Sequence, residues 1–149
     1  FTLIDDYVQI TGSVYAMKKW NDTYDATYTT QVGNDYPHLR YSDVVLMYAE
    51  ALLNGAAAGS SGLTALDAVN QVRDRAELPL LDSVTLQNIW DERRAEFALE
   101  EDRFFDLVRT GQAAQALSAN GYVEGKNILC PIPANQRQLN PNLEQNPGY

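Results

Sequence analysis

The chain has 149 residues, enough for one domain, and its content of 45% hydrophobic and 21% charged residues is typical of a folded globular protein. Its formal net charge of -9 disfavours binding to nucleic acid or to an anionic membrane surface, because there is no excess of Lys and Arg to contact phosphates. The one cysteine excludes an internal disulfide, and the one histidine leaves no set of His and Cys ligands for a zinc site.

The first 36 residues are predicted to form strands and loops. They are rich in Tyr, Thr and Asp and contain short alternating pieces such as SVYAMKKW. Pro37 marks the boundary to a helical domain over residues 37–149. The chain does not begin with Met, so we expect residues 1–36 to continue from a larger N-terminal part or to follow a removed signal. No apolar run is long enough to span a bilayer.

Three helices are predicted between Pro37 and Glu100. The first, HLRYSDVVLMYAEALLN, is apolar on nearly all sides, which indicates burial by neighbours on several sides. The second, LTALDAVNQVRDRA, has one apolar stripe and forms a probable helical hairpin with the first. Its stripe consists of Ala65, Val69, Val72 and Ala76. The third helix begins after Thr85, a suitable N-cap, and runs to about Glu100.

Shorter elements are predicted after the third helix. Residues 104–110 form a helix that ends at Gly111, and residues 112–119 add a short helical turn. The tail, residues 128–149, carries four prolines in ILCPIPANQRQLNPNLEQNPGY and is predicted to be extended. Within it, Cys130 stands among apolar residues and is predicted to be a small buried side chain.

The stretch ERRAEFALEEDRFFDLVRTG, residues 92–111, is dense in charged residues. These residues could form either an active site or an ion network that stabilises the fold. Arg93 and Glu100 fall on the apolar stripe of the third helix with Phe97, so both are predicted to point inward and to need counter-charges. For Arg93 the candidates near in sequence are Glu96, Glu100 and Asp106. The interpretation is a buried network that stabilises the fold, made of Arg40, Glu92, Arg93, Glu96, Glu100, Arg103, Asp106 and Arg109.

The alternative is that two of these carboxylates act as a general acid and base, as in glycosidases. Paired carboxylates on charged helices are more often structural, so we favour the network. Trp90, Phe97 and the segment FFDL, residues 104–107, are predicted to be packed in the core, with Asp106 held for a buried arginine.

Four separated motifs together resemble the C-terminal region of the SusD/RagB family. They cover residues 37–149 and follow one another in the family's order: LRYSDVVLMYAEALLN, ALDAVNQVRDRAELP, IWDERRAEFALEEDRFFDLVRTG and PIPANQRQLNPNLEQNPGY. MKKW, residues 17–20, also resembles the strand that precedes this region in the family. Glu101 stands where family members usually have a glycine, so a helix running through Glu101 into Phe105 is predicted here.

The resemblance implies a mostly α-helical fold of tetratricopeptide-like helical hairpins, with short strands and a long extended C-terminal segment. It implies a surface-exposed outer-membrane lipoprotein of Bacteroidetes, anchored through an N-terminal segment that is not in this chain. Such proteins bind oligo- or polysaccharides, cover a TonB-dependent transporter, and have neither enzymatic activity nor a cofactor. This chain then corresponds to the C-terminal portion, which packs on N-terminal helical repeats of the same protein.

Aromatic residues near the N-terminus are the candidates for sugar contact. Sugars bind through flat aromatic faces and a few polar groups, and this segment interleaves both: Trp20, Asn21, Tyr24 and Tyr28. The competing interpretation places the same rings in the core of a small sheet. Glycan binding is the leading hypothesis. The alternatives are a scaffold that docks on the transporter and binds no sugar itself, and a glycoside hydrolase.

Overall fold

The structure, a computed structural model, describes residues 38–100 and 102–149. This part of the chain is mostly helical, as predicted, and contains no strand. Its elements are α1 (Tyr41–Leu53), α2 (Ala65–Arg75), α3 (Leu86–Glu96), α4 (Arg103–Arg109), α5 (Ala113–Leu117), a 3-10 turn (Ser118–Asn120) and α6 (Ala134–Leu139). The strands predicted within residues 1–36 lie outside the described residues. Two compact units divide between Leu99 and Glu100.

The core of the first unit lies where α1 meets α2 and α3. Leu46, Val69 and Ile89, one from each helix, are completely buried and belong to one apolar cluster. The predicted stripe of α2 is confirmed for Ala65, Val69 and Val72. Ala76 is exposed instead, because the helix ends at Arg75 and Ala76 is its C-cap residue.

Side-chain caps fix where α2 and α3 begin. The Thr85 hydroxyl accepts from the Asn88 backbone N–H at 3.2 Å, and the Asn88 side chain accepts from the Thr85 N–H at 2.9 Å. This reciprocal capping box confirms Thr85 as the N-cap. Thr64 and Asp67 form the same arrangement at the start of α2.

Within the described residues α1 buries a single face, whereas the sequence predicts that neighbours cover it on several sides. Ser42, Val45, Leu46 and Ala49 face the core. Exposed apolar residues occupy another face, with exposures of 77% for Tyr41, 50% for Val44 and 44% for Met47. The reason is geometric: among the described residues, α2 and α3 are the helices packed on α1, and together they cover one side of it.

The helix predicted to run through Glu101 into Phe105 is wrong. α3 ends at Glu96, Phe97 is its C-cap, and α4 begins at Arg103. Leu99 has a φ of 67°, a left-handed conformation that turns the chain out of the helical path. Tertiary structure here overrides the good helix propensity of leucine.

The second unit contains α4, α5, the 3-10 turn and α6. Gly111, with a φ of 72°, follows α4 and confirms the predicted stop. Leu107 is 2% exposed, as predicted for a packed residue, but Phe105 is 69% and Phe104 38% exposed. Those two rings are therefore not core residues of this unit. Helical geometry explains the difference, because adjacent residues of α4 cannot all face its one buried side.

The tail is less extended than predicted, because α6 lies within it and turns surround that helix. Side chains bind its backbone: Gln145 accepts from the Ile132 N–H at 2.7 Å and donates to the Ile132 carbonyl at 3.0 Å, and Asn146 donates to the Cys130 carbonyl at 2.6 Å. The thiol of Cys130 is exposed, so its predicted burial is wrong. These turns are held by backbone hydrogen bonds, which do not require the local side chains to be covered.

Candidate functional site: the arginine–carboxylate network and the cleft beside α1

α3 turns charged side chains toward the core of the first unit. Glu92 and Arg93 are each 6% exposed and Glu96 is 9% exposed. Ile89 and Phe97, which flank them on the helix, belong to the apolar cluster. A charge in such surroundings is tolerated only with a partner, and each of these three has one.

Arg93 is paired with a carboxylate from α1. Its Nη1 donates to Asp43 Oδ1 at 2.5 Å, and the two side chains are 7% and 15% exposed. Asp43 lies 50 residues earlier in the chain and is not among the partners expected from sequence, Glu96, Glu100 and Asp106. The pair therefore ties the start of α1 to α3.

Two arginines hold Glu96, one from each side. Arg40 Nη1 donates to Oε1 at 2.9 Å, and Arg75 Nη2 donates to Oε2 at 2.5 Å. Arg40 Nη2 also donates to the backbone carbonyl of Glu96 at 3.0 Å. Both carboxylate oxygens are thus engaged by guanidinium groups, whereas a general acid or base needs an oxygen directed at its substrate.

Two guanidinium groups of the same network lie close to the Phe97 ring. The Arg40 Cζ is 4.8 Å and the Arg93 Cζ 5.0 Å from the ring centroid. Cation–π contacts at these distances add attraction beyond the ion pairs. Arg40, just before α1, and Arg93, on α3, are thereby held around one buried aromatic residue.

A second ion pair between α2 and α3, beside Arg75–Glu96, comes from Arg73. Arg73 Nη1 donates to Glu92 Oε2 at 2.7 Å, while its Nε donates to the Pro79 carbonyl at 2.8 Å. Trp90, predicted to be a core residue, is half-buried, and its Nε1 donates to Glu50 Oε1 at 3.2 Å. Its polar edge therefore has a partner on α1, as a half-buried indole requires.

The other predicted members of the network belong to the second unit. Glu100 is 8% and Asp106 7% exposed, and Arg103 is the first residue of α4. Arg109 Nε donates to Asp106 Oδ1 at 2.7 Å, but the Arg109 side chain is 43% exposed. A buried arginine was predicted as the partner of Asp106. In this pair the partner is Arg109, which is partly exposed and lies three residues later in the chain.

Sequence reasoning left Asp43, Arg73 and Arg75 out of the network. A usable signal exists for the two arginines. Arg73 follows Val69 by four residues and Arg75 follows Val72 by three, so both continue the buried stripe of α2. The same spacing argument identified Arg93. For Asp43 the signal is weaker, because a single carboxylate on an apolar helix is compatible with exposure as well as with a distant partner.

Neither a cluster of metal-ligating side chains nor a membrane-spanning helix is found in the described part of the chain. Within residues 38–100 and 102–149, no group of three or more His, Cys, Asp or Glu side chains is placed to hold a metal ion. None of the helices there combines the length and apolarity needed to cross a membrane. The predicted sugar-contact residues, Trp20, Asn21, Tyr24 and Tyr28, lie outside the described residues.

A cleft of about 410 Å³ opens beside the network, between the start of α1 and the second half of α2. Polar, charged and apolar side chains line it: Arg40, Tyr41, Ser42, Val45, Gln71, Val72 and Arg75. Arg40 and Arg75 both bind Glu96, so the network forms part of the cleft wall.

Comparison with known proteins identifies the family. The model of the SusD family matches residues 5–149. SusD-like protein P38 of Formosa agariphila is 34% identical over 74% of this chain, and the starch-binding protein SusD of Bacteroides thetaiotaomicron is 30% identical over 88%. A solved laminarin-binding SusD-like protein shares 44% identity over 75% of this chain, with a TM-score of 0.65.

The chain spans only about a quarter of the length of these proteins: 24% of P38, 25% of SusD and 23% of the laminarin-binding protein. The family match itself covers nearly the whole of the present sequence and is consistent with the mostly helical structure of residues 38–100 and 102–149. The chain therefore belongs to the SusD family.

Proposed function

We propose that this chain is the C-terminal portion of a non-catalytic glycan-binding protein. It takes up oligosaccharide at the outer-membrane surface and passes it to a TonB-dependent transporter. Membership of the SusD family supports the proposal, and two relatives are named for starch and laminarin binding. The observation that carries it is the 44% identity and TM-score of 0.65 with the laminarin-binding protein.

The arrangement of the carboxylates supports binding over hydrolysis. Glu96 has both oxygens bonded to arginines, and Glu92 is bonded to Arg73 and 6% exposed. A glycosidase needs two carboxyl groups that face a sugar across an open site. We propose that the network instead orients α1, α2 and α3 and thereby shapes the surface beside them. Incubation with starch and laminarin should release no new reducing ends, and their appearance would contradict this assignment.

The same proposal includes the domain division, the packing of the helices and the membrane anchor. Residues 1–36 would form the strand and loop segment, and residues 37–149 a helical domain with tetratricopeptide-like packing of its helix pairs and an extended end. This domain would pack on N-terminal helical repeats of the same protein, whose N-terminal lipid anchor would hold it at the membrane. The shared core of α1 and α2 supports the helix-pair part.

The test of glycan binding is a calorimetric titration of the chain with laminarin-derived and starch-derived oligosaccharides. We expect one of them to bind, and we expect Trp20→Ala and Tyr24→Ala to weaken that binding with unchanged circular dichroism. Phe105→Ala is the matched control, because it removes an aromatic ring that is 69% exposed in the second unit. Unchanged affinity in the Trp20 and Tyr24 variants would remove these residues, and with them Asn21 and Tyr28, from the proposed site.

A second candidate function is a scaffold that docks on the transporter and binds no sugar itself. In the first unit, many charged side chains form ion pairs within the fold, and this favours a scaffold role. A pull-down with the partner transporter, performed beside the sugar titration, separates the two. Retention of the transporter without any sugar affinity would favour the scaffold, and sugar affinity would favour the binding protein.

A further inference from the structure

One face of α1 is both apolar and exposed. Its residues follow one another at spacings of three, three and four, so they form one stripe along the helix: Tyr41, Val44, Met47 and Ala51. Tyr41 is 77%, Val44 50% and Met47 44% exposed, and Ala51 is exposed as well. A surface helix normally turns polar residues to the solvent, so an exposed apolar stripe of this kind indicates a contact surface.

The charged residues of α1 lie outside this stripe. Asp43 accepts a hydrogen bond from Arg93 Nη1. Glu50 accepts one from Trp90 Nε1 at 3.2 Å, so both carboxylates are directed at α3. The side buried in the core consists of Ser42, Val45, Leu46 and Ala49. α1 therefore has a buried side, a side whose carboxylates bond to α3, and an exposed apolar side.

The chemistry of the stripe selects its occupant. Val44, Met47 and Ala51 carry no side-chain hydrogen-bonding group, whereas a bound sugar needs partners for its hydroxyls. A net charge of -9 opposes contact with an anionic membrane surface and with a second copy of the same chain. Packing of a helix, in contrast, requires rows of apolar side chains at spacings of three and four.

A segment of the same polypeptide fits these requirements. The chain spans 24% of P38, 25% of SusD and 23% of the laminarin-binding protein, so most of the length of such a protein lies outside it. A covalently connected segment has a high effective concentration at the stripe, which outweighs the repulsion that opposes a separate molecule. α2 already packs on another face of α1 through its own apolar stripe.

We infer that the stripe of Tyr41, Val44, Met47 and Ala51 is the contact surface for an amphipathic helix from the part of the protein outside this chain. The partner helix presents an apolar row to the stripe, because an unpaired charge buried there would be costly. α1 is then enclosed by α2 and α3 on one side and by the partner helix on the other. The inference rests on the proposed place of this chain in a longer protein and names the surface where the two parts meet.

The first test is the oxidation of Met47 by hydrogen peroxide in the full-length protein, followed by peptide mass spectrometry. The thioether takes one oxygen atom from the peroxide and becomes a sulfoxide, and the peroxide is reduced to water. We expect the reaction to be about tenfold slower in the native protein than in urea, because access then requires the contact to open. Similar rates in both conditions would overturn the inference, since they are what 44% exposure allows.

The second test places a charge on the stripe. Val44→Glu should lower the melting temperature of the full-length protein by several degrees, because the carboxylate is buried in the contact without a partner. Glutamate favours a helix at least as well as valine, so helix propensity does not account for such a loss. Gln138→Glu adds the same charge at an exposed polar position of α6 and should leave the melting temperature unchanged. A Val44→Glu variant as stable as the wild type would overturn the inference.

Sedimentation of the full-length protein identifies the occupant. Protection of Met47 in a monomer supports the inference, whereas protection that is lost when a dimer is diluted would assign the stripe to a second copy and overturn it. None of these measurements involves a sugar. Failure of the inference would therefore leave the proposed glycan binding intact, and failure of the sugar titration would leave this contact intact.

Discussion

Arg93 carries a full positive charge at 6% exposure, so its surroundings must supply a negative one. Asp43 does so from α1, and the Phe97 ring lies 5.0 Å from the guanidinium carbon. Arginine suits this position better than lysine, because its planar group is weakly hydrated and both donates hydrogen bonds and stacks on a ring. The residue thus connects two helices through one side chain.

Replacing Arg93 by Met should be strongly destabilising. Asp43 would remain in place with its charge unpaired, and breaking a buried pair typically costs about 3–5 kcal/mol. Urea unfolding of the variant and the wild type measures the difference in free energy of unfolding.

Two further variants make this prediction specific. Arg94→Met changes a neighbouring exposed arginine and should alter the free energy by no more than about 0.5 kcal/mol. The double variant Arg93→Met, Asp43→Leu removes both charges and should recover much of the loss. A single Arg93→Met variant as stable as the wild type would contradict the assigned role of the pair.

At the scale of elements, α2 and α4 end in the same way with different residues. In each, the two residues after the C-cap donate back to the last turn: Glu77 to Asp74 and Leu78 to Arg73 after α2, and Gly111 to Val108 and Gln112 to Leu107 after α4. This motif needs a left-handed residue directly after the C-cap. α4 uses glycine at a φ of 72°, whereas α2 uses Glu77 at a φ of 55°.

Glu77→Gly should therefore stabilise the protein. Glycine adopts the left-handed conformation without the strain of a β-carbon, and its larger entropy in the unfolded chain offsets part of the gain. We expect a net increase of about 0.5–1 kcal/mol in the free energy of unfolding. Glu77→Ala is the control, because alanine keeps the β-carbon and should give no comparable increase. A lower melting temperature for the glycine variant would be inconsistent with strain at this turn.

The cap of α2 gives a pH-dependent prediction. The Thr64 hydroxyl, and next its backbone N–H, hydrogen-bond to Asp67 and lower the pKa of that carboxyl below its ordinary value of 3.8. A carboxyl with a lowered folded-state pKa stabilises the fold above its unfolded-state pKa, and that stabilisation is lost as the pH falls through the folded-state value.

Asp67→Asn should accordingly melt below the wild type near neutral pH, and the gap should close as the pH falls below 3.8. Thermal melts of both proteins across the acid range measure this gap. Asp82→Asn, which changes an exposed aspartate, serves as the control for general charge effects. A gap that stays constant into strong acid would show that the charge of Asp67 does not contribute to the cap.

At the scale of the whole molecule, a net charge of -9 means that carboxylates repel one another. Such an excess destabilises the compact state through repulsion that salt screens. The Arg93–Asp43 pair is different, because both side chains are largely buried and salt screens them little.

Raising the salt concentration to about 1 M, where the screening length is about 3 Å, should raise the melting temperature of the wild type. The difference in stability between the wild type and Arg93→Met should change little over the same range, because the broken pair is buried. A difference that disappears at high salt would show that the pair behaves as an exposed one.

Most predictions that depend on local periodicity and capping agree with the structure, with Ala76 as an exception. Val69 and Val72 recur at helical spacing and are buried, Thr85 caps α3, and Gly111 follows α4. Predictions of the partner of a buried charge, of burial in the tail and of the chain path after α3 do not. Asp43 was not expected beside Arg93, Cys130 is exposed in spite of its apolar neighbours, and Leu99 turns the chain where a continuous helix was expected.

The amino-acid sequence by itself determined the helical character of the described part of the chain, the inward face of α3 and the family, because periodicity, caps and ordered motifs are properties of neighbouring residues. Only the tertiary structure decided which carboxylate neutralises Arg93, that Arg40 and Arg75 share Glu96, and that these arginines line a cleft with Ser42. The physical reason is that a buried charge requires a partner but does not specify one. The packing of α1, α2 and α3 makes that choice.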